Sequence, residues 1–340
     1  MGTDAVSRLG QINSATGSNS ADNALFLKVF GGQVLALFEE LNVMLPTTTV
    51  RTISSGKSAQ FPATSSATAK YHVPGEDILE DSGYLSAIKH NEIIININDL
   101  LVSSVFIDSL EEVKNHYDIR GEYAKQMARA LSAEADKNLI RHGFAGARVT
   151  TDRFGATGAS AILGATKDTG AATAAAVTNA QLIDNIFQAA EHMDSKDVPS
   201  TERFCVTSPN QYYKLIEGDS SAGGVIINRD FGNEGNGSMA SGSVMSVAGF
   251  KILKSNHLPT ADYTAVSGNV NLGTTSFDSS DEIPVALCYH KSALGTVKLK
   301  SLKTEQDYRV ERQGNLLVSS FAMGHNVLRN EGLVEIVAGT

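Results

Sequence analysis

"SLEEVKNHYDIRGEYAKQMARALSAEADKNLIRH", residues 109–142, carries the longest regular pattern in the chain. Its apolar residues recur every three or four positions, apart from one interval of seven between Tyr117 and Ala124, which is typical of an amphipathic helix. They are Leu110, Val113, Tyr117, Ala124, Met127, Leu131, Ala135 and Leu139. Asp108 or Ser109 can cap its start, and Gly143 is the predicted end. Such a helix would be ~50 Å long, about the width of a compact chain of this length. The segment therefore predicts a spine helix.

Before this helix, two extended segments predict a long β-hairpin. Residues 50–61 form the first predicted strand, which would reach ~40 Å. In residues 88–97, "IKHNEIIINI", isoleucine occupies the alternate positions 93, 95 and 97, a pattern that indicates a strand with one apolar face. The intervening stretch is rich in Ser, Thr, Ala, Gly and Pro. Because the first strand has few large apolar residues, we expect the hairpin to project and to lie on a partner.

The flanking regions complete a mixed α+β pattern. Residues 22–41 predict an amphipathic helix interrupted at Gly31-Gly32, and residues 154–177 predict a linker. Thr178 or Asn179 caps a predicted helix with one apolar face, formed by Leu182, Ile183, Ile186, Phe187, Ala190 and Met193. Strands are predicted at "RFCVTS", at "AGFKILKSNHLP" and from residue 283 onward, with a turn at Gly314-Asn315. A helix is predicted to begin at Ser208-Pro209.

The composition limits the classes of protein to which the chain could belong. Apolar residues make up 42% of the chain, as in ordinary folded proteins, and no apolar run approaches the ~18 residues that a membrane span needs. The N-terminus lacks the basic-then-apolar pattern of a secretory signal. Cys205 and Cys288 stand in apolar stretches without metal-ligand spacing, so we expect buried free thiols and no metal site. The net charge of −9 opposes tight binding of a polyanion.

The string Gly56-Lys57-Ser58 is similar to the end of a phosphate-binding loop. The full motif places a glycine five positions before this glycine and follows a strand with a helix. Arg51 occupies the position of that first glycine, and the residue before Pro62 is biased toward extended backbone. A nucleotide hydrolase is therefore disfavoured, and an extended strand carrying a lysine is the simpler interpretation.

Seven segments in chain order resemble one protein family. They are "LFLKVFGGQVL", "VRTISSGKSAQFP", "VPGE" (residues 73–76), "IKHNEIIININDLL", "NHYDIRGEYAKQMARAL", "HKSALGTVKLKSL" and "AMGHNVLR". Together they resemble the major capsid proteins of T-seven-like podoviruses, over nearly the whole chain. The resemblance implies the Hong Kong 97-like capsid fold, an α+β fold. It further implies hexamers and pentamers of an icosahedral shell around phage double-stranded DNA, assembled in the host bacterial cytoplasm.

The resemblance also implies a domain layout and partners. Residues 1–48 would be the N-terminal arm, and residues 49–98 the E-loop, an extended hairpin over a neighbouring subunit. Residues 99–175 would be the P domain with spine helix 109–142, residues 176–290 the A domain, and residues 291–340 the returning P-domain strands. Scaffolding and portal proteins are the expected partners besides further copies of the chain. Packaged DNA would be held by weak contact, and no membrane, cofactor, metal or catalytic residue is expected.

Charged residues of the hairpin and of the returning strands are the candidate inter-subunit contacts. The hairpin carries cations near an acidic tip, and the returning strands carry both signs. The residues are Arg51, Lys57, Lys70, Glu76, Asp77, Glu80, Asp81, Asp307, Arg309, Glu311 and Arg312. A solvated face is the alternative interpretation, because most exposed ion pairs contribute little. A basic cluster at Lys298, Lys300 and Lys303 lacks interleaved aromatic residues, so we expect a subunit contact rather than DNA binding there.

The sequence leaves two other function classes open. An encapsulin-like cellular nanocompartment would share the fold and would differ in particle diameter and in the absence of packaged DNA. A nucleotide hydrolase would release phosphate from a nucleoside triphosphate, which a simple assay detects.

Overall fold

The structure of the chain is a computed structural model. It describes residues 6–7, 42–65, 67, 69–79, 84–85, 88–97, 100–114, 120–150, 154, 163–171, 173–217, 246–259 and 283–338. The helix predicted at residues 22–41 and most of the N-terminal arm lie outside these ranges. None of the helices in the described ranges is long and apolar enough to cross a membrane.

The described residues form four α-helices and thirteen strands. The helices are α1 (Ser109–Lys114), α2 (Arg120–Ala147), α3 (Asn179–Ser195) and α4 (Pro209–Glu217). The strands up to α3 are β1 (Val6–Ser7), β2 (Thr49–Thr52), β3 (Ser58–Thr64), β4 (His90–Asn96), β5 (Leu101–Asp108) and β6 (Ala165–Asp168). The remaining strands are β7 (Arg203–Thr207), β8 (Ser246–Val247), β9 (Phe250–Lys254), β10 (Ile283–His290), β11 (Leu294–Arg309), β12 (Gly314–Val327) and β13 (Leu333–Ala338).

The chain divides into two compact units. Unit 1 contains Asp99–Asp136 and Lys298–Met323 together with the described part of Met1–Asn42, and unit 2 contains Val43–Asn98, Lys137–Val297 and Gly324–Thr340. Because each unit is assembled from separate segments of the chain, neither could be delimited from local sequence patterns.

Unit 1 is a sheet packed against the first half of α2. Its strands lie in the order β1-β5-β12-β11, with β5 antiparallel to β12 from Asp108↔Gly314 to Leu101↔Phe321. The helix contributes Met127, which packs with Ile107 and Leu317, and Leu131, which packs with Phe321. These contacts confirm the apolar stripe predicted for the middle of the spine helix, because residues four apart share one face of a helix. Leu110, predicted for the same stripe, is instead 64% exposed on α1.

The main sheet of unit 2 has six strands and is covered by helices on both faces. The strand order is β6-β13-β10-β7-β9-β8. Helices α3 and α4 pack on one face, through Leu182, Ile186 and Leu215 among others. The second half of α2 packs in a separate apolar cluster with the alternate residues of the central strands, such as Val206, Leu287 and Tyr289. Alternation of side chains along each strand supplies both clusters.

The end of the spine helix differs from the prediction. Helix α2 continues through Gly143 to Ala147. A Cβ atom at Gly143 would collide with the buried side chain of Leu287, so the glycine permits close packing of α2 on the sheet instead of ending the helix. The next residue, Arg148, donates through Nε to both carboxylate oxygens of the buried Glu335, at 2.8 and 2.9 Å. Thr166 donates a further hydrogen bond to the same carboxylate at 2.7 Å.

Three other expectations from the sequence are corrected. The strand predicted at residues 50–61 is two strands, β2 and β3, separated by a bend in which Gly56 has a φ of +104°. The linker predicted at residues 154–177 contains β6, which pairs in parallel with β13. The turn predicted at Gly314-Asn315 lies earlier, over Val310–Arg312 and Gln313, whose φ is +50°.

Helix α3 agrees with the sequence prediction at its N-cap and differs from it at one residue of the predicted apolar face. Thr178 accepts a hydrogen bond from the backbone N–H of Gln181, and the Gln181 side chain accepts one from the backbone N–H of Thr178, so the predicted cap is a capping box. Leu182, Ile186 and Met193 are buried as predicted. Phe187 is 56% exposed, because it follows Ile186 and is turned about 100° away from the face that contacts the sheet.

Candidate subunit-interface hairpin

Strands β3 and β4 form the predicted antiparallel hairpin. Their register runs from Ser58↔Asn96 to Thr64↔His90. Alternation places Ala59, Ile93 and Ile95 on one buried face and leaves the intervening residues of β4 exposed. The isoleucine pattern of "NEIIINI" therefore encodes a strand with one apolar face, as its sequence predicts. A two-stranded sheet of this kind is marginally stable without further contacts.

Contacts with the backbone of β4 hold the base of the hairpin to the rest of unit 2. Asn326 donates from Nδ2 to the carbonyl oxygen of Ile94 at 3.2 Å. A Cβ atom at Gly324 would collide with the carbonyl oxygen of Asn96, so only glycine permits this approach of the two backbones. The N–H of Ile97 donates to the carbonyl oxygen of Lys57 at 2.8 Å and closes the base. These contacts fix where the hairpin leaves unit 2.

The tip of the hairpin is organised around Tyr84. Its hydroxyl donates a short hydrogen bond to the carboxylate of Glu76 and accepts one from the backbone N–H of Val73 at 3.0 Å. The ammonium of Lys70 lies 4.3 Å from the centre of the Tyr84 ring and 3.7 Å from Glu76 Oε2. His72 packs against the same ring, with the ring centroids 5.7 Å apart. Tyr84 therefore connects the two chain segments that form the tip.

Large apolar side chains on and beside this tip are exposed. Tyr71 is 97% exposed and Leu79 is 76% exposed, and the other members retain about half of their accessible area or more. The set is Tyr71, Val73, Ile78, Leu79, Leu85 and Ile88, and we call it the tip apolar surface. This surface was not predicted from the sequence, because the charged residues of the tip were the only candidate contacts there. The available signal was the presence of isolated apolar residues in a Ser- and Gly-rich stretch, where a solvated loop needs none.

The predicted contact residues of the hairpin fall into three situations. Arg51 donates from Nη1 to the carbonyl oxygen of Gln60 at 3.0 Å, and its guanidinium lies 5.6 Å from the Phe61 ring centroid, so its own chain binds it. Lys70 and Glu76 pair with each other within the tip. Lys57 is exposed, and its ammonium makes no hydrogen bond or ion pair with any residue that the structure describes.

The other predicted contact residues are divided between the two units. In the hairpin, Asp77 accepts a hydrogen bond from the backbone N–H of Leu79 at 2.8 Å. Glu80 and Asp81 lie outside the described residues. In unit 1, Arg309 pairs with Asp307 at 3.3 Å, and both side chains are more than half exposed. Glu311 and Arg312 stand exposed in the turn that joins β11 to β12.

The string Gly56-Lys57-Ser58 lies at the bend between β2 and β3. Ser58 begins a strand rather than a helix. A phosphate-binding loop needs a helix N-terminus directly after the Lys-Ser pair, because its backbone N–H groups contact the phosphates. The geometry of these residues therefore does not match that motif.

The described pKa shifts lie in unit 2 outside the hairpin. Burial lowers the pKa of His290 and the pKa of His192. A hydrogen bond from the ammonium of Lys291, at 2.7 Å, lowers the pKa of the exposed Glu202. Hydrogen bonding with Cys205, together with burial, raises the pKa of the Cys288 thiol well above its usual range. Both cysteines are buried free thiols, as predicted.

Comparison with known proteins decides the family. The model of the Gp10A-like major capsid protein family matches residues 60–337, which include the spine helix, nearly all of the hairpin and most of both units. The chain belongs to this family. The resemblance seen in the sequence is therefore confirmed, and the protein is a phage major capsid protein, a structural component of the virion.

Individual relatives agree with this assignment. The chain is 31% identical to the major capsid protein of Escherichia phage T7 over 330 residues, which cover 92% of each chain. It is 32% identical to the major capsid protein of Enterobacteria phage T3 over 341 residues, or 96% of this chain and 95% of that one. These relatives come from phages, and they favour a phage capsid over the cellular nanocompartment considered above.

Solved capsids share the fold. The capsid structure of Cyanophage P-SCSP1u is 39% identical, covers the whole of both chains and superposes with a TM-score of 0.74. The mature capsid of bacteriophage PhiM1 covers 97% of each chain with a TM-score of 0.68, at 20% identity, which shows similarity of fold alone. The predicted α+β fold of the Hong Kong 97-like capsid type is confirmed. Assembly of many copies of the chain follows from this membership.

Proposed function

We propose that this capsid protein forms the hexamers and pentamers of an icosahedral shell around phage double-stranded DNA, and that the hairpin β3–β4 docks on a neighbouring copy. The observation that carries the proposal is the tip apolar surface. It stands at the end of a two-stranded sheet whose base is held by Asn326 and Gly324. This short stretch of the chain carries several exposed large apolar side chains, and exposed apolar surface marks interaction sites because its contact with water is unfavourable.

A second copy is the partner that best fits the hairpin. The family assembles from many copies of one chain, so each hairpin has an identical neighbour at hand. The internal contacts of Tyr84 hold the tip in one shape before docking, which reduces the entropy lost on association. Charges that are already paired within the chain contribute less to docking. Among the predicted contact residues, Lys57 and Arg312 are therefore the strongest candidates for ion pairs between copies.

The domain layout inferred from the resemblance is part of the same proposal. Residues 1–48 act as an N-terminal arm and residues 49–98 as the E-loop. Residues 99–175 and 291–340 form the P domain, and residues 176–290 form the A domain. The strand pairing of β3 with β4 and the length of α2 support the E-loop and the spine helix in this layout.

Contact with packaged DNA is weak in this proposal, and the protein catalyses no reaction. The net charge of −9 repels a polyanion on average. In the basic cluster, Lys300 donates to the hydroxyl of Ser320 at 3.3 Å, so part of that cluster is engaged within the sheet. We expect purified subunits not to bind duplex DNA near 150 mM salt, where non-specific binders show Kd values of about 10⁻⁴ to 10⁻⁶ M. Submicromolar binding that is lost on substitution of Lys298, Lys300 and Lys303 would contradict this expectation. Scaffolding and portal proteins complete the proposed set of partners.

Electron microscopy of the expressed protein tests the proposal directly. The wild-type chain is expected to form closed shells, alone or with a scaffolding protein. A variant in which a short turn replaces residues 60–86 is expected to remain a folded subunit and to form no closed shells. Normal shells from this variant would show that the hairpin does not join neighbouring copies. Absence of shells from the wild-type chain under every assembly condition would overturn the shell proposal itself.

A further inference from the structure

The two cysteines of the chain face each other across the centre of the unit 2 sheet. Cys288 on β10 is the direct register partner of Cys205 on β7. Both are fully buried and belong to the same apolar cluster, so both side chains point to the same face of the sheet. The sequence contains two cysteines in all, and the fold brings them to one position.

The register identifies the type of pair that they form. At the end of the same ladder, the N–H of Lys291 donates to the carbonyl oxygen of Glu202 at 3.2 Å, which marks that pair as hydrogen-bonded. Hydrogen-bonded and non-hydrogen-bonded pairs alternate along an antiparallel ladder. The cysteine pair lies three positions further along and is therefore a non-hydrogen-bonded pair. Such pairs have Cα atoms about 4.5 Å apart, within the range of about 4.4–6.8 Å that disulfides bridge.

We propose that Cys205 and Cys288 are a latent disulfide site, reduced during assembly in the host cytoplasm and closed as a cross-strand disulfide when the particle enters an oxidising medium. The oxidant belongs to the class of small-molecule disulfides. One cysteine thiolate attacks the oxidant, forms a mixed disulfide and releases one small thiol. The second cysteine thiolate attacks the protein sulfur of the mixed disulfide and releases the second small thiol. Two electrons pass from the protein to the oxidant, and the two cysteine protons leave with the released thiols.

Burial explains why the site stays reduced in the folded protein until conditions change. Thiolate is the reacting form, and hydrogen bonding and burial raise the pKa of Cys288, which makes thiolate rare in the closed state. Reaction therefore requires a transient opening of the sheet, which is rare because the opening of core strands costs up to the full free energy of unfolding. Glutathione and thioredoxin keep thiols reduced in the cytoplasm, so net oxidation is expected only outside the cell.

Closure would join two central strands of unit 2. In the order β6-β13-β10-β7-β9-β8, the bond lies between the third and fourth strands. Cross-linking of residues distant in sequence reduces the entropy of opened and unfolded chains and so stabilises the closed state. For a chain of this size, we expect the disulfide to raise Tm by roughly 5 °C or more.

Intact-mass measurement on purified particles tests the proposal. Particles are incubated for increasing times with glutathione disulfide or with dithiothreitol, and are then denatured in excess N-ethylmaleimide. The oxidised sample is expected to lose the mass of two hydrogen atoms and to carry no maleimide, whereas the reduced sample carries two. The rise in Tm is expected to reverse with dithiothreitol. Full alkylation of both cysteines after prolonged oxidation, including at a temperature where unit 2 opens, would overturn the proposal.

A matched variant tests whether disulfide formation requires that the two cysteines face each other, and not only that the chain contains two thiols. The double substitution Cys205→Val and Val206→Cys keeps two cysteines but places one thiol on the opposite face of the sheet, because Val206 belongs to the other apolar cluster. We expect this variant to remain alkylated at both cysteines under the same oxidation. Equal disulfide formation in this variant would show pairing in the unfolded chain and would overturn the site. If the variant does not fold, the mass measurement on the wild-type chain still decides the proposal. Electron microscopy shows separately whether shells form.

Discussion

Substitution of Leu79 by alanine tests the tip apolar surface with the smallest structural change. The side chain is 76% exposed in the single chain, so its removal leaves no cavity. Complete burial of a leucine side chain contributes about 1.5–3 kcal/mol, so burial of this exposed fraction contributes ~1–2 kcal/mol. Alanine retains a small part of that. We expect a loss of about 1–1.5 kcal/mol of association free energy per subunit, since each subunit contributes one hairpin.

This loss has a measurable size. About 1.4 kcal/mol corresponds to a tenfold change in an equilibrium constant, so the lowest protein concentration that supports shells should rise roughly 5- to 15-fold. Light scattering over a concentration series, with electron microscopy of each sample, gives that concentration. The Tm of the unassembled subunit should be unchanged, because exposed substitutions usually alter stability by less than about 0.5 kcal/mol.

The control is the same substitution at an exposed leucine outside the hairpin. Leu110 on α1 is 64% exposed, and its substitution by alanine should leave the assembly concentration unchanged. An unchanged concentration for Leu79→Ala would refute burial of the tip on a neighbouring copy. An equal rise for Leu110→Ala would show that general surface apolarity, and not the hairpin tip, drives association.

Three further predictions concern charge, packing and pH. Lys57→Glu should slow assembly at low salt and have little effect near 1 M salt, where charges are screened beyond about 3 Å. Light-scattering kinetics measure the assembly rate. Equal rates for the variant and the wild-type chain at low salt would contradict this prediction. Gly143→Ala should lower subunit stability by about 1–2 kcal/mol in denaturant titration, because overpacking against Leu287 outweighs the gain in helix propensity; unchanged stability would show that the sheet can yield there. Burial lowers the pKa of His290 and His192, so the unfolded chain binds protons first as pH falls below the ordinary value of about 6.5. Tm should therefore be lower at pH 5.5 than at pH 7.5, and His290→Gln should reduce that difference; an equal difference in the variant would exclude His290 as its source.

Local patterns in the sequence determined the elements that depend on near neighbours. The stripe of Met127 and Leu131 predicts the helix, and the alternation of Ile93 and Ile95 predicts the strand, because apolar spacing matches the backbone period in each case. The capping box at Thr178 follows from residues three positions apart. The collinear segments were specific enough to indicate the capsid family without the tertiary structure.

Only the tertiary structure decided the features that depend on distant residues. Gly143 follows the usual pattern of a helix end, yet the helix continues to Ala147. The glycine is needed there because Leu287, far away in sequence, leaves no room for a side chain. The exposure of Leu79 depends on which surfaces the rest of the chain covers. The facing of Cys205 and Cys288 depends on the register of two strands separated by a long stretch of chain. Strand register and surface coverage are set by contacts between distant segments, and no window of neighbouring residues contains them.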